Sequence, residues 1–417
     1  MSSGIADGQG DAGRRTRRAV VIVQGDLGRS PRMQYHAYAL AVNGARVDLV
    51  GFAGAALPSA IRDHGSIAVH GVADVPQVEP GAFFATRAAA RALRQAGRLA
   101  GTLARLPAAD LVLVQTPPAV PAALLAWLLA RRRGARFVLD WHNLGWTLFA
   151  LKSGPAGVAV LRAIETWVGR RGDAHLCVSR AMQAHLASAL GAEARVVYDR
   201  APEWFARPPA ERRRAVRARL FAQSGVTDAA GAALVVSPTS FTADEDLDLL
   251  IDAADVIEGQ RAALPRGFPR LLVLATGGGP GRAAFEARAA ARPRDAVVVV
   301  RTAWVEADDY PALLASADAG VCAHRSSSGL DLPMKVADMF GAGLPVIALA
   351  YPALAERVRD RDSGMVFADA AGLARTWKTL FAPAGAQTLA ALRRASAAAG
   401  QDQWLDGWKT EAAPALI

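Results

Sequence analysis

Short apolar runs recur along the chain and alternate with stretches that have helical character. Five runs precede residue 200: RAVVIVQ (18–24), RVDLVGF (46–52), ADLVLVQ (109–115), RFVLDW (136–141) and AHLCVS (174–179). Five more follow residue 231: AALVVS (232–237), RLLVLAT (270–276), AVVVV (296–300), AGVCA (319–323) and LPVIAL (344–349). Strands that are apolar throughout and separated by helices predict parallel sheets covered on both faces.

A break between residues 201 and 230 separates the two groups of runs, and it holds several prolines and the charged stretch ERRRAVRARL. Two βα repeats around such a break predict an α/β protein with two doubly wound, Rossmann-like domains. The expected parts are a disordered basic tail over 1–18, an N-terminal domain over 19–200, a linker region over 201–230, a C-terminal domain over 231–395 and a terminal helix over 396–417. Trp404 and Trp408 lie four residues apart, a spacing typical of a packing stripe, and we expect this helix to pack back on the N-terminal domain.

Composition narrows the classes of function. The length of 417 residues and the hydrophobic content of 52% suit two cores better than one. Cys177 and Cys322 lie in apolar contexts without the spacing of a zinc or redox site, which favours a reduced, cytosolic setting. The net charge of +10 indicates an anionic partner or surface. With 6% aromatic residues and no recognised binding module, we do not expect that partner to be nucleic acid.

The sequence predicts peripheral attachment to a membrane. Residues 111–130 approach the length of a membrane span, but three prolines interrupt them, so a buried strand and a helix are the better interpretation. Residues 1–18 lack the pattern of a signal peptide. Phe83, Phe84 and the arginines at 87, 91, 94 and 98 have the pattern of a basic amphipathic helix, which either lies in an anionic interface or packs on its own domain. The expected localisation is cytoplasmic, on the cytoplasmic face of the membrane.

Ligands of doubly wound sheets bind at the carboxyl ends of the strands, so the loops after each apolar run are the places to look for chemistry. The first loop, Gly25–Arg32, offers glycines for close backbone approach and Ser30 as a candidate cap for a helix that opens at Pro31. It lacks the G-x-G-x-x-G pattern, which disfavours a nicotinamide cofactor. A tight turn without a ligand is the alternative.

Asp140, Trp141, His142 and Asn143 directly follow a buried strand. Four large polar or aromatic residues in a row do not suit a buried strand, so we expect a functional site here. A transferase must remove a proton from its acceptor hydroxyl, and Asp140 or His142 could act as that general base. In the alternative, Asp140 caps the next helix and His142 forms a hydrogen bond within the core.

Two segments of the second half have the composition of phosphate sites. The glycine loop Thr276–Arg282 exposes backbone N–H groups, and Arg282 adds a cation, although a flexible connector has the same composition. Lys335 and Asp338 are three residues apart, hence on one face of a helix. A lysine suits a diphosphate and a carboxylate suits ribose hydroxyls, whereas a surface ion pair is the alternative.

Five blocks together resemble the chitobiosyldiphosphodolichol beta-mannosyltransferases. They are GDLGRSPRMQYHA, VLDWHNLGW, TSFTADEDLDLLIDA, TAWVEADDYPALLASADAGVC and SSSGLDLPMKVADMFGAGLPV. Their shared order, from about Ala19 to the terminal helix, makes the resemblance specific. Members of this family add the first mannose, from GDP-mannose, to the chitobiose of the dolichol-diphosphate oligosaccharide.

The resemblance implies a GT-B fold, in which two Rossmann-like domains face a cleft, and an inverting glycosyltransferase that forms a beta linkage. It implies GDP-mannose as the donor and a polyprenyl-diphosphate-linked sugar as the acceptor, with no obligatory metal or cofactor, although a divalent cation could assist. The implied donor contacts are Ser240, Glu245, Thr276, Gly277, Gly278, Arg282, Trp304, Glu306, Ser327, Ser328, Gly329, Leu330, Lys335 and Asp338. The implied acceptor contacts are Gly28, Arg29, Arg32, Trp141 and Asn143. No base follows from the resemblance alone, and the candidates are Asp140, His142 and Asp26, in that order.

Three features depart from the family pattern. The family glycine loop usually reads TGKGP, whereas this one lacks the lysine, for which Arg282 could substitute. The family usually begins with a membrane helix, which we do not expect here, and the segment before Gly231 is shorter than usual. With the Ala- and Arg-rich composition, these features suggest a bacterial relative and an undecaprenyl-type acceptor. Two alternatives stay open: a GT-B transferase that uses a UDP-sugar or a polysaccharide acceptor, and a non-catalytic nucleotide-sugar-binding protein.

Overall fold

The computed structural model describes residues 17–75, 84–151, 153–205, 208–226, 231–293 and 295–417, without the side chains of residues 84–89. The expected tail before residue 17 and Phe83 lie outside the described residues, as do the side chains of Phe84 and Arg87. The described residues form two parallel sheets, each with a buried cluster on both of its faces. This arrangement confirms the prediction of two doubly wound Rossmann-like folds.

The first sheet contains seven of the described strands, in the order β3-β2-β1-β4-β5-β6-β7. They are β1 (Arg18–Asp26), β2 (Arg46–Phe52), β3 (Ile67–Val72), β4 (Leu111–Thr116), β5 (Arg136–Trp141), β6 (Ala174–Cys177) and β7 (Ala194–Val196). Val20 in β1 pairs in parallel with Asp48 on one side and Val112 on the other. Because the strand order reverses at β1, the loops after β1 and β4 diverge and leave a crevice at the carboxyl edge.

The second sheet contains six of the described strands, in the order β10-β9-β8-β11-β12-β13. They are β8 (Ala232–Pro238), β9 (Arg270–Thr276), β10 (Val298–Ala303), β11 (Ala319–Cys322), β12 (Val346–Leu349) and β13 (Met365–Phe367). Val235 in β8 pairs in parallel with Val273 and with Ala319. The order reverses at β8, so the second crevice lies between the loops after β8 and β11.

Helices cover both sheets. They are α1 (Pro31–Val42), α2 (Ser59–Arg62), α3 (Phe84–Arg105), α4 (Leu124–Arg133), α5 (Gly145–Ala150), α6 (Pro155–Gly169), α7 (Arg180–Leu190), α8 (Ala210–Ser224), α9 (Asp248–Gly259), α10 (Arg282–Ala290), α11 (Tyr310–Ser316), α12 (Met334–Gly341), α13 (Ala370–Phe381), α14 (Ala386–Ala399), α15 (Trp404–Glu411) and α16 (Ala413–Leu416). Helix α8 lies within the stretch expected to be a linker. Its Val216, Leu220 and Phe221 are buried in one cluster with Leu234 and Val236 of β8, so this stretch is part of the second core.

The last helices return to the first sheet. The indole Nε1 of Trp404 donates to the carbonyl oxygen of Tyr35 at 2.9 Å, and that of Trp408 donates to His36 Nδ1 at 3.0 Å. Both indoles are fully buried against α1. Among the helices that the structure describes, none combines the length and the apolar character that a bilayer crossing requires.

Candidate active site

Loops from the carboxyl ends of the two sheets meet each other. Arg29, after β1, donates from Nη1 to the carbonyl oxygen of Gly278, after β9, at 3.0 Å. Asn143, after β5, donates from Nδ2 to Ser327 Oγ at 3.2 Å. The Ser179 hydroxyl, after β6, donates to the carbonyl oxygen of Leu330. The predicted site loops of both halves therefore line one cleft between the domains.

Asp140 is the centre of a buried charge network. Its two oxygens accept from Arg32 Nε at 2.7 Å and from Arg32 Nη2 at 2.8 Å, and His36 Nε2 lies 3.3 Å from Oδ2. Burial by itself would raise the pKa of Asp140, but the Arg32 guanidinium and the two neighbouring imidazoles outweigh it and hold that pKa well below its usual range. Asp140 therefore stays ionised, with no exposed surface in this structure. Its role as the base stays a prediction, and its carboxylate here is held by Arg32 and faces His36 and His142.

Arg32 and Trp141 also differ from their expected role as acceptor contacts. Arg32 is 1% exposed, and besides Asp140 it donates from Nη1 to Asp199 and to the carbonyl oxygen of Val197, both at 2.8 Å. Trp141 is 2% exposed and donates from Nε1 to His175 Nδ1 at 3.1 Å. Both side chains lie beneath the cleft, where they hold strands together.

His142 lies at the surface of this network. Its Nε2 is 3.4 Å from Asp140 Oδ2, and 18% of its side chain is exposed. Nε2 is buried and has no hydrogen-bond partner among the described residues, which leaves Nδ1 as the ring nitrogen available to a substrate. Of the three candidate bases, His142 alone combines a partly exposed ring with a neighbouring buried carboxylate.

Asp26 shapes the first loop. Its carboxylate accepts from the backbone N–H of Gly28 at 2.9 Å and from that of Ala55 at 2.9 Å, and Arg29 Nε lies 3.5 Å away. A side chain at Gly28 would overlap the carbonyl group of Ala55, so this position needs glycine. The prediction of Asp26 as a base is not met, because its oxygens are committed to backbone amides.

Lys335 and Glu245 form an ion pair at the start of α12. Glu245 is 3% exposed, and it also accepts from Thr239 Oγ1 at 2.5 Å and from Ser240 N at 2.8 Å. Its oxygens are thus occupied by the protein, and its expected contact with the donor is replaced by a positioning role. Lys335, with 23% of its side chain exposed, is the cation that this carboxylate holds at the cleft.

Asp338 is 6% exposed on α12. Its Oδ2 is 3.3 Å from the Tyr310 hydroxyl, and its Oδ1 is buried without a hydrogen-bond partner. Burial raises the pKa of Asp338 to about 7; the Tyr310 hydroxyl opposes this rise and the charge of Asp199 adds to it. The ribose contact stays a prediction, and Oδ1 is the carboxylate oxygen without a partner in the described residues.

The glycine loop packs tightly against the loop after β8. Gly277 has a φ of +141°, and a side chain there would overlap the carbonyl oxygen of Thr239. A side chain at Gly279 would overlap the carbonyl oxygen of Ser240. These two glycines are needed for close packing, independently of any ligand.

Arg282 braces the glycine loop. Arg282 donates from Nη1 to the carbonyl oxygen of Gly277 at 2.9 Å and from Nε to Glu286 at 2.7 Å. It is thus engaged within its own loop and does not take the place of the family lysine. Thr276 is 6% exposed, and its buried Oγ1 lacks a hydrogen-bond partner.

Trp304 is the most exposed aromatic ring among the described tryptophans, with 51% of its surface accessible. Its Nε1 donates to Glu306 Oε1 at 3.0 Å. A side chain at Gly278 would contact both this ring and Arg29. An exposed indole beside a glycine backbone and a carboxylate is suited to stack on a nucleobase.

The loop of residues 326–330, called the serine loop here, is held by its own side chains. Gly329 has a φ of +73°, and its N–H donates to Ser326 Oγ at 2.7 Å. Ser328 Oγ accepts from Leu330 N at 3.2 Å, so this hydroxyl fixes the turn. Ser327 Oγ reaches across the cleft to Asn143 and lies 2.9 Å from Thr147 Oγ1.

Two residues that shape the site were not assigned a role from the sequence. His324, two residues after the end of β11, has its Nε2 2.7 Å from Asp331, and although burial lowers the pKa of His324, the Asp331 carboxylate outweighs burial and raises it. Glu165, from α6, accepts from Gly145 N at 2.9 Å and holds the loop that follows His142. Glu165 lies within a helix, away from any strand end, so its role depends on a contact distant in sequence. Among the described residues, no three His, Cys, Asp or Glu side chains are grouped closely enough to hold a metal ion.

Comparison with known proteins finds glycosyl transferase domains in both halves of the chain. Residues 28–198 match the model of the glycosyl transferase 4-like domain, and residues 233–382 match that of glycosyl transferases group 1. The chain is 35% identical to the chitobiosyldiphosphodolichol beta-mannosyltransferase of Mus musculus, covering 96% of this chain and 89% of the relative. It is 37% identical to the UDP-glycosyltransferase TURAN of Arabidopsis thaliana, covering 96% and 97%.

Solved structures share the fold at low sequence identity. Anabaena HepE in complex with UDP and glucose aligns with a TM-score of 0.68 at 16% identity, covering 96% of this chain and 100% of that chain. Sucrose-phosphate synthase from Thermosynechococcus elongatus aligns with a TM-score of 0.69 at 16% identity, covering 95% and 96%. These likenesses identify the architecture as GT-B.

Proposed function

The chain belongs to the chitobiosyldiphosphodolichol beta-mannosyltransferase family, and from that premise we propose that it transfers mannose from GDP-mannose to a polyprenyl-diphosphate-linked sugar, with inversion. The chain is a glycosyltransferase, and the relatives of Mus musculus and Homo sapiens are named for a mannosyl transfer to a dolichol-diphosphate-linked chitobiose. The observation that carries the proposal is His142, which is partly exposed and whose Nε2 lies 3.4 Å from the buried carboxylate of Asp140. An imidazole next to a carboxylate in one domain and a lysine held by Glu245 in the other suit a single displacement.

In the proposed reaction, the acceptor hydroxyl attacks the anomeric carbon of the donor sugar. His142 Nδ1 takes the hydroxyl proton, while the bond between the anomeric carbon and the phosphate oxygen breaks and GDP leaves. Lys335 offsets the negative charge that develops on the diphosphate. A single displacement inverts the anomeric configuration, and so gives a beta linkage from an alpha-linked donor. The residues bind and orient both substrates without an obligatory metal, and the acceptor meets the cleft at a cytoplasmic membrane surface.

A UDP-sugar donor is the second candidate, because the relative TURAN is named as a UDP-glycosyltransferase. The exposed ring of Trp304 accepts either base, whereas the Glu306 carboxylate pairs with the N–H groups on the guanine edge and has no matching donor pair on uracil. Thermal unfolding with GDP or UDP separates the two donors. Ligand at about a hundred times its Kd stabilises the folded state by about 2.7 kcal/mol. Stabilisation by UDP and not GDP would replace GDP-mannose with a UDP-sugar.

The test of the proposed function is transfer by the purified chain. With GDP-mannose and a prenyl-diphosphate-linked chitobiose, we expect GDP release coupled to a mannosylated lipid that a beta-mannosidase cleaves. Lys335→Ala should abolish release, while Lys409→Ala, an exposed lysine on α15, should leave it unchanged. His142→Ala should lower kcat by about 10²–10⁴ without weakening donor binding. GDP release that ignores the acceptor, or an alpha-linked product, would refute the proposal.

A further inference from the structure

Helix α6 and the end of α5 present an apolar surface that no described element covers. Val160 is 61% exposed and Trp167 is 41% exposed, while Phe149 and Leu151 beside them are 40% and 55% exposed. A groove of about 1010 Å³ runs along α6 next to these residues, and its lining combines small apolar side chains with the Trp146 and Trp167 rings and three arginines. Clustered apolar exposure of this kind marks an interaction site.

The charge on this surface has one sign. Arg162 lies over the ring of Trp146 at 4.9 Å, and Arg171 lies over the ring of Trp167 at 3.5 Å. Between residues 145 and 171 the sequence holds a single carboxylate, Glu165. That carboxylate is 3% exposed and points inward, so the surface carries arginines and aromatic rings without an exposed acid.

The surface is joined directly to the candidate active site. Glu165 accepts from the backbone N–H of Gly145 at 2.9 Å and lies 3.3 Å from Thr116 Oγ1, so α6 is tied to the loops after β4 and β5. The loop after β5 carries His142 and Asn143. A partner seated on α6 is therefore held next to the cleft.

We propose that the surface formed by Phe149, Leu151, Val160, Arg162 and Trp167 docks on an anionic lipid bilayer and presents the acceptor to the cleft. Apolar side chains enter the boundary of the acyl chains, aromatic rings lie at the headgroup level, and arginines contact lipid phosphates. The proposal rests on the proposed function, because a lipid-linked acceptor keeps its sugar at that boundary. A bilayer fits better than a protein partner, since the surface lacks the exposed acids that a mixed polar rim would include.

Helix α3 is the other candidate surface, and its described arginines serve its own domain. Arg91 donates from Nε to the carbonyl oxygen of Val75 at 2.9 Å. Arg98 donates from Nη1 to the carbonyl oxygens of Ala73 at 3.0 Å and Asp74 at 2.8 Å. These contacts agree with the alternative that α3 packs on its own domain.

Vesicle flotation of the full chain tests the proposal, without donor or acceptor. We expect binding to vesicles of equal parts phosphatidylcholine and phosphatidylglycerol, and weaker binding to phosphatidylcholine alone. Val160→Asp should lower the partition coefficient by at least about tenfold, because a charge is placed within the apolar face. Val42→Asp is the matched control, since Val42 is 47% exposed on α1, away from this surface. Leu151→Asp gives a second, independent loss.

Binding of both Val160→Asp and Leu151→Asp at the wild-type level would overturn the proposal, as would an equal loss in Val42→Asp. If the chain dimerises and Val160→Asp makes it a monomer that still floats, the surface is a protein interface and the proposal fails. Flotation is independent of transfer: a chain that floats through α6 but does not use GDP-mannose refutes the proposed function alone. A chain that transfers mannose to a short-chain acceptor but does not float refutes this inference alone.

Discussion

Asp140 and Asp338 are both buried, but their neighbours shift the pKa values of the two carboxyl groups in opposite directions. Asp140 receives two hydrogen bonds from Arg32, and its pKa lies well below the usual range despite burial. Asp338 has the Tyr310 hydroxyl as its neighbour and no hydrogen bond from a cation in the described residues, so burial raises its pKa to about 7. The same residue type therefore orients His142 at one position and holds a proton at the other.

The raised pKa of Asp338 makes stability depend on pH. Between about pH 4 and pH 7 the folded chain keeps a proton that the unfolded chain releases, so the unfolding free energy falls as pH rises through this window. Asp338→Asn lacks this titration. We expect the stability of the wild type relative to Asp338→Asn to fall by at least about 1 kcal/mol between about pH 5 and pH 8, measured by urea denaturation. Tyr310→Phe removes a donor to the ionised carboxyl and should shift the window upward. Parallel curves for wild type and Asp338→Asn would contradict the assignment.

At the scale of elements, apolar runs were sufficient to predict the central strands. All ten predicted runs overlap strands of the structure, because central parallel strands are apolar on both faces. The sequence missed β3, β7 and β13. Strand β3 lies at the sheet edge and is buried only at its two ends, and the other two have three residues each. The prediction of a linker over 201–230 missed helix α8, because the charged residues of this helix outnumber its buried apolar ones.

The sequence was sufficient to predict which loops form the candidate site, but not which role each residue in those loops has. Strand ends indicated the loops of Asp140, His142 and Lys335, which the structure brings to one cleft. Their roles depend on partners distant in sequence, such as Arg32 on α1 and Glu245 after β8. Burial and pairing arise only when these elements pack, so no spacing along the chain distinguishes Asp140 from His142.

Substitution in the glycine loop separates packing from ligand binding. Gly279→Ala places a methyl group against the carbonyl oxygen of Ser240, so the backbone of one loop must move. We expect a loss of about 1–3 kcal/mol in stability and at least tenfold weaker GDP binding, measured by urea denaturation and by thermal shift. Gly259→Ala on α9 is the control, because its methyl group would have no neighbour within 4 Å. Equal effects of the two substitutions would show that loop packing does not place the donor site.

At the scale of the whole molecule, the chain crosses between the domains twice. After the second sheet, α14 leads into α15, whose Trp404 and Trp408 complete the core beneath the first sheet. Arg32 lies 5.6 Å from the ring of Trp404, so the terminal helix also covers the network beneath the cleft. The first domain therefore depends on the last residues of the chain for part of its core, and through Arg32 for the position of His142.

Thiol labelling of the two cysteines measures how far each domain opens. Cys177 is buried in the first sheet and Cys322 in the second. Burial raises the pKa of both thiols to about 12. Trp404→Ala removes a fully buried indole and should cost about 3–5 kcal/mol. In a Cys322→Ala background, we expect thiol labelling of Cys177 to accelerate at least about hundredfold, because each 1.4 kcal/mol of opening free energy is a factor of ten.

Labelling of Cys322, followed in a Cys177→Ala background, should change little in Trp404→Ala. Trp377→Ala is the matched control, because Trp377 is fully buried on α13 in the core of the second domain. It should accelerate labelling of Cys322 more than that of Cys177. If each tryptophan substitution accelerates both thiols equally, the two domains open as one cooperative unit, and the terminal helix does not stabilise the first domain selectively.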